Sequence, residues 1–258
     1  MKIRKRKLLS TALALFAVPA WAQPNPPQYK ILGVFSVLGD TIDVSTAQEP
    51  SASRIDRTER KTLEVRNLGL DRLVAQEFRS AIQKDMPRVL LHLFGASAPL
   101  RLEDQRQLAE QARSGALPGW VVDLIQERQL DHVVLVTRES AAVQLETATA
   151  ERAGRSEVAG IGFHIDMAYR VRNTEANVVG DGALGPHVVV RLTLFDTREA
   201  KVLRTQLINE QWLVGPPDTP ERSQGPWAYL SAEQKIMALR DGLSRGLQKQ
   251  LRSFLRGG

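Results

Sequence analysis

The run Val133-Val134-Leu135-Val136 constrains this chain more than any other feature. Four consecutive aliphatic residues leave a strand no polar face, so both sides must be covered, as in a parallel sheet flanked by helices. The sequence supplies that cover. Apolar residues at 70, 73, 74, 78, 81 and 82 mark one face of a helix over 70–84, which Pro87 stops. Leu102 to Arg113 reads as a second helix with Glu103 and Asp104 in its first turn and Gly115 beyond its end. Pro118 opens a third, expected to carry Trp120, Val121, Leu124 and Ile125 inward. Tyr29 to Leu38 and Val89 to Phe94 are further apolar strands. Thr41 to Val44 continues the first beyond a kink at Gly39, with Lys61 to Val65 as its hairpin partner and a polar loop over 48–60 between them.

The second half changes period. Ile161, Phe163 and Ile165 alternate with Gly162, His164 and Asp166, and the pattern runs on through Tyr169 and Val171. Val188 to Phe195 and Val202 to Leu213 are two more strands, joined by the turn Asp196-Thr197-Arg198-Glu199-Ala200. From Ser231 onward Ile236, Leu239, Leu243, Leu247, Leu251, Phe254 and Leu255 keep helical spacing, although Gly242 and Gly246 weaken the helix unless packing holds it. The expected fold is α/β of the mixed α+β kind. A parallel βαβ part carries an antiparallel three-strand meander and a C-terminal amphipathic helix, in one domain over 29–258. The element order, with the phrase Val189-Val190-Arg191-Leu192-Thr193-Leu194-Phe195-Asp196 followed by Lys201-Val202-Leu203, resembles the α/β domain shared by the N-terminal part of TolB, the CsgG-type secretion proteins and the LpoB-type lipoproteins. The resemblance implies an assembly or interaction module. The chain lacks the lipobox cysteine of the CsgG and LpoB types.

The N-terminus gives the expected compartment. Lys2, Arg4, Lys5, Arg6 and Lys7 precede an apolar run from Leu8 to Val18, then Pro19-Ala20-Trp21-Ala22 ahead of Gln23. This is the pattern of a cleaved secretory signal over 1–22, with Ala20 and Ala22 as the small residues a signal peptidase accepts and Gln23 as the new terminus. The run falls short of the roughly 20 residues that cross a bilayer. With no cysteine, the chain is read as periplasmic and not a lipoprotein. Residues 23–28 form a proline-rich tether. No transmembrane helix is expected after cleavage.

Charge then changes meaning. The whole chain has 35 Lys and Arg against 29 Asp and Glu, but the signal holds five of the bases and no acid, leaving 30 against 29. A near-neutral protein has no general attraction for nucleic acid, so none is expected as a partner. Residues 231–258 carry +4 and residues 23–230 carry −3. The terminal helix is therefore a basic amphipathic element. It suits either docking on the core with a solvated face or peripheral contact with a membrane or an acidic partner.

Motif matches are weak. Gly180-Asp181-Gly182-Ala183-Leu184-Gly185 fits the dinucleotide fingerprint by letter, but Pro186 and the β-branched residues after it cannot open the required helix, so a flexible hairpin loop is expected there. Gly39-Asp40-Thr41 resembles the opening block of SGNH hydrolases. Threonine holds the nucleophile position, however, and Asp131 and His132 are adjacent rather than spaced as a base pair requires. His92, His132, His164 and His187 lack the spacing of a metal pair and read as structural residues in or beside strands. No catalytic residue, metal or cofactor is assigned.

Two readings remain. One is a non-catalytic envelope accessory protein that binds another envelope protein or a cell-envelope component. Its contact would be a sheet edge, the loop at Trp227 or the terminal-helix bases Arg245, Lys249, Arg252 and Arg256. Trp120 and Trp212 are expected in the core. The other is a small-molecule-binding or hydrolytic domain using the crevice at the carboxyl ends of the parallel strands, where Asp40, Arg54, Asp56, Ser97, Arg138 and Glu139 are the candidates.

Overall fold

The computed structural model describes residues 29–47, 58–95, 102–143, 157–173, 178–216 and 225–256. The expected signal and tether, with Arg54, Asp56 and Ser97, lie outside these. The fold is the expected mixed α/β arrangement. Strand β1 (Ile31–Ser36) takes β4 (Leu90–Gly95) on one side and β5 (His132–Arg138) on the other, both parallel. Strands β8 (Ile161–Asn173), β9 (Val178–Asp196) and β10 (Lys201–Gln211) form the antiparallel meander.

Strand β9 joins the two blocks. Its residues 190–196 pair with β5, residues 178–188 pair with β8, and β10 pairs along 187–196. Since β10 occupies the opposite edge from each, β5 and β8 lie end to end along one edge of β9. The neighbouring position repeats the arrangement: β1 runs parallel to β5, and β2 (Thr41–Ala47) runs parallel to β8. Strands β1 and β2 are therefore two halves of one long ribbon, bent at Val37–Asp40, where Gly39 has φ 65°. The expected continuation past Gly39 is what the chain does, and β3 (Thr58–Glu64) is the antiparallel partner of β2. At Gly162 of β8, a Cβ would lie 1.7 Å from the carbonyl oxygen of Asp43, so only glycine lets β8 approach β2 this closely. Between β5 and β8 the chain leaves through β6 (Ser140–Ala142) and returns through β7 (Glu157–Ala159), which pair with each other. Backbone bonds from Gly160 N to Glu139 O (2.8 Å) and from Val189 N to Gly160 O (2.7 Å) close the base of this excursion.

Val133 and Leu135 face one core while Val134 and Val136 face the other, as the unbroken apolar run demanded. The larger core lies under α1 (Leu70–Asp85) and α4 (Ala232–Arg256) and takes Ile161, Phe163, Ile165, Val188, Val190, Leu192 and Leu194 from the meander. The smaller lies under α2 (Leu102–Arg113) and α3 (Gly119–Arg128), over Phe35 and Phe195. Helix α4 starts on a capping box in which Gln234 N donates to Ser231 Oγ (3.2 Å) and Ser231 N donates to Gln234 Oε1 (2.9 Å). Its glycines are where it crosses β10 and the segment after it. A Cβ on Gly242 would sit 2.5 Å from the Trp212 ring, and one on Gly246 would sit 2.4 Å from Ile208 Cγ2.

Two expectations are corrected. Gly180 to Gly185 are not a hairpin loop but part of β9, paired with β8 across an irregularity between Asp166 and Arg170 that absorbs the glycine-rich stretch. Trp120 is not in the core: it is 46% exposed. Phe35 and Phe94 stack with centroids 4.4 Å apart, and Trp120 packs edge-on to Phe35 at 5.8 Å, outside that pair. Trp212 is half-buried, packed against the larger core.

Candidate functional site

The strand-end crevice brings Asp40 and Arg138 together at the bend in the ribbon. Arg138 is 1% exposed. Its Nε donates to Leu38 O (2.9 Å), its Nη2 to Thr41 O (2.6 Å) and its Nη1 to Asp43 Oδ2 (3.0 Å). Burial pulls its pKa down, opposed chiefly by the Asp43 carboxylate and more weakly by Asp71 and Asp40. Asp43 also accepts from Thr62 Oγ1 (2.8 Å), Asp40 accepts from Gly69 N (2.8 Å) at the start of α1, and Glu139 pairs with Arg191 (2.6 Å). The candidates thus hold backbone in place: the guanidinium faces carbonyls at the bend.

Sequence reasoning missed Asp71. Its Oδ1 accepts from Ser36 Oγ (2.5 Å) and Leu38 N (2.9 Å), and its Oδ2 from Gly39 N (3.1 Å). Burial raises its pKa, and these bonds oppose the shift. The signal was an acid in the first turn of α1, which reads as dipole compensation and says nothing about Ser36. Beside it a cleft of about 170 Å³ opens between α1 and the ends of β1 and β4, lined by Ser36, Asp71, Arg72, Ala75, Leu93 and Phe94. Small-molecule sites usually measure roughly 300–1,000 Å³, so this cleft has the scale of one side chain.

The cleft adjoins an open sheet edge. Among the described residues β3, β4 and β10 each pair with a single strand. Strand β3 is Thr-Glu-Arg-Lys-Thr-Leu-Glu and β10 carries Lys201, Arg204 and Glu210, charges that oppose edge-to-edge pairing. Strand β4 is Leu-Leu-His-Leu-Phe-Gly, without an acidic, lysine or arginine side chain, and Leu90 is 55% exposed. Leu90 N donates inward to Lys30 O (2.9 Å). By alternation, the N–H and C=O groups of Leu91 and Leu93 point outward.

The helix and loop candidates are engaged internally. Lys249 pairs with Glu210 (2.8 Å), Arg252 (3.6 Å) and Arg256 (2.8 Å) both reach Asp85, and Arg245 lies 5.1 Å over the Trp212 ring. Exposed pairs contribute about 0–1 kcal/mol each, whereas each fully buried leucine or phenylalanine contributes roughly 1.5–3 kcal/mol. Leu239, Leu243, Leu247, Leu251, Phe254 and Leu255 are all buried, so the apolar stripe docks α4 and the charges set its register. Trp227 sits in a 3-10 turn, edge-on to Phe163 at 5.5 Å and under Lys235 Nζ at 4.4 Å, with 36% of its surface exposed.

The histidines on the other face of the meander are structural. Ser45 Oγ lies 2.9 Å from His164 Nδ1, and His187 Nε2 lies 3.2 Å from Ala159 O. Ser45 and His164 are 5% and 3% exposed, and Ser45 and His187 line a small cavity of about 80 Å³ with Asp43, Arg60 and Thr62. Burial lowers both histidine pKa values, that of His187 to about 4. Among the described residues no three His, Asp or Glu side chains cluster to hold a metal, and no helix is long and apolar enough to cross a membrane.

No family model matches this chain, and no curated protein matches it. Among solved structures it is similar to protein XCC0632 from Xanthomonas campestris, described as family DUF330, at 8% identity over 93% of this chain and 90% of that one, with a TM-score of 0.40. It is also similar to the hypothetical protein CT253 from Chlamydia trachomatis, at 12% identity over 89% of this chain and 99% of that one, with a TM-score of 0.34.

Proposed function

We propose that this is an exported periplasmic protein that acts without catalysis, by binding another envelope protein through the edge strand β4. One observation carries the reading: among the described residues, the main sheet's edge strands β3 and β10 are guarded by charge, while β4 offers an apolar edge with outward backbone groups at Leu91 and Leu93. Exposed Trp120 lies near it across Phe35 and Phe94, adding the kind of aromatic surface that interfaces favour. The N-terminal pattern supports export, with maturation at Gln23 and no lipid anchor.

The test places a photo-crosslinking amino acid at Leu90 and, as a control, at Leu207 on β10, in cells making the full chain. Export is checked by the mass of the mature N-terminus. Discrete crosslinks from position 90 and none from 207 support the reading. Equal or absent crosslinking from both removes β4 as the contact.

A further inference from the structure

The surroundings of β4 carry enough chemistry to specify what pairs with it. Helix α1 has three acids and three bases. The acids are all turned into the protein: Asp71 bonds Ser36 and the ribbon bend, Glu77 accepts from Gln248 and Ser244, and Asp85 holds Arg252 and Arg256. The bases Arg72, Arg79 and Lys84 have no carboxylate partner among the described residues. Arg72 lines the cleft beside β4, and Arg79, seven residues on, returns to the same flank of the helix. Arg88, exposed and also without a carboxylate, immediately precedes the strand. An apolar edge with outward hydrogen-bonding groups is thus bordered by cations whose neighbouring acids are already committed.

Deepening the reading of β4 as the contact edge, we propose that its occupant is an extended, acidic segment of a partner polypeptide. The segment adds a strand to β4 through the outward-pointing backbone groups of Leu91 and Leu93. On the α1 side, one of its apolar side chains fills the 170 Å³ cleft between Ala75, Leu93 and Phe94, and its carboxylates meet Arg72 and Arg79. Alternate side chains of an added strand point to opposite faces, so the next one turns toward the Phe94 side.

The probe is a phage-displayed library of random dodecapeptides, panned against the immobilised mature chain, residues 23–258. Enriched peptides are expected to combine Asp or Glu with apolar residues at alternate positions. Arg72→Glu, an exposed substitution, and Ala75→Met, which fills the cleft, are each expected to weaken their binding about tenfold, with thermal unfolding unchanged for Arg72→Glu. A Leu207→Ala control on β10 is expected to bind normally. No enriched family, enrichment of basic peptides, or binding indifferent to both substitutions overturns the proposal. Crosslinking from Leu90 that persists unchanged in Arg72→Glu and Ala75→Met overturns it too, yet leaves β4 standing as the contact edge. Absence of the Leu90 crosslink in the native chain removes the broader reading.

Discussion

Nη1 of Arg138 lies 3.0 Å from Oδ2 of Asp43, joining the end of β5 to the second half of the β1–β2 ribbon. The same guanidinium holds the carbonyls of Leu38 and Thr41 on either side of Gly39. Together with Asp71, which accepts from Leu38 N and Gly39 N, this buried side chain holds the bend between the two halves of the ribbon.

Replacing Arg138 by Met strips that bend of its donors and leaves the Asp43 carboxylate, 15% exposed, without its cation. Removing one partner of a buried pair typically costs about 3–5 kcal/mol. Urea unfolding should show a loss of that order for Arg138→Met. Arg138→Met with Asp43→Asn should be less damaging than the sum of the two single changes.

Alanine usually favours a helix over glycine by about 1 kcal/mol. At Gly246 the outcome should reverse, because the new Cβ would meet Ile208 Cγ2 at 2.4 Å in a packed contact. Gly246→Ala is expected to lower stability by roughly 1–3 kcal/mol, the usual range for overpacking, read as a drop in thermal midpoint.

His187 has a folded pKa of about 4 against an ordinary 6.5, because burial disfavours its charged form. The unfolded chain thus binds more protons between these values, and stability falls as pH drops from 6.5 toward 4. The shift corresponds to about 3 kcal/mol, complete near pH 4. His164 is shifted in the same direction and adds to the slope. Urea midpoints measured between pH 7 and 4 should decline in the native chain and decline less steeply in His187→Asn.

Trp227 is held edge-on against Phe163 and beneath Lys235. Trp227→Ala should therefore destabilise the protein by roughly 1–3 kcal/mol, within the ordinary range for single substitutions. Crosslinking from Leu90 should persist at temperatures where the variant stays folded. If Trp227 were instead the main anchor for a partner, capture would fail without a change in unfolding.

Much of the fold was legible because it rests on periodicity. The Val133–Val136 run announced a sheet covered on both sides, and the three- and four-residue spacing from Ile236 to Leu255 announced the docked helix. The ribbon bend at Gly39 was legible for the same reason, since a β-branched pattern resumed beyond it. What failed depended on neighbours distant in sequence. Trp120 reads as core until it is seen to pack outside the stacked pair Phe35 and Phe94. Gly180–Gly185 read as a loop because composition cannot show that β8 supplies a ladder for it. Asp71 and the cleft were invisible because Ser36 and Asp71 are 35 residues apart. The β4 edge was hidden for a related reason: an apolar run reveals a strand, but only topology reveals that no other described strand pairs with its far side.

The junction between β5 and β8 has a different kind of consequence. Glu139 and Gly160 meet through a backbone bond of 2.8 Å, so the chain between them departs from and returns to one point on the ladder. Its length is decoupled from the register of the sheet around it. A chain of this architecture can lengthen or shorten the excursion beyond Val143 and Val158, which pack with Val189 of β9, while β5 and β8 remain aligned.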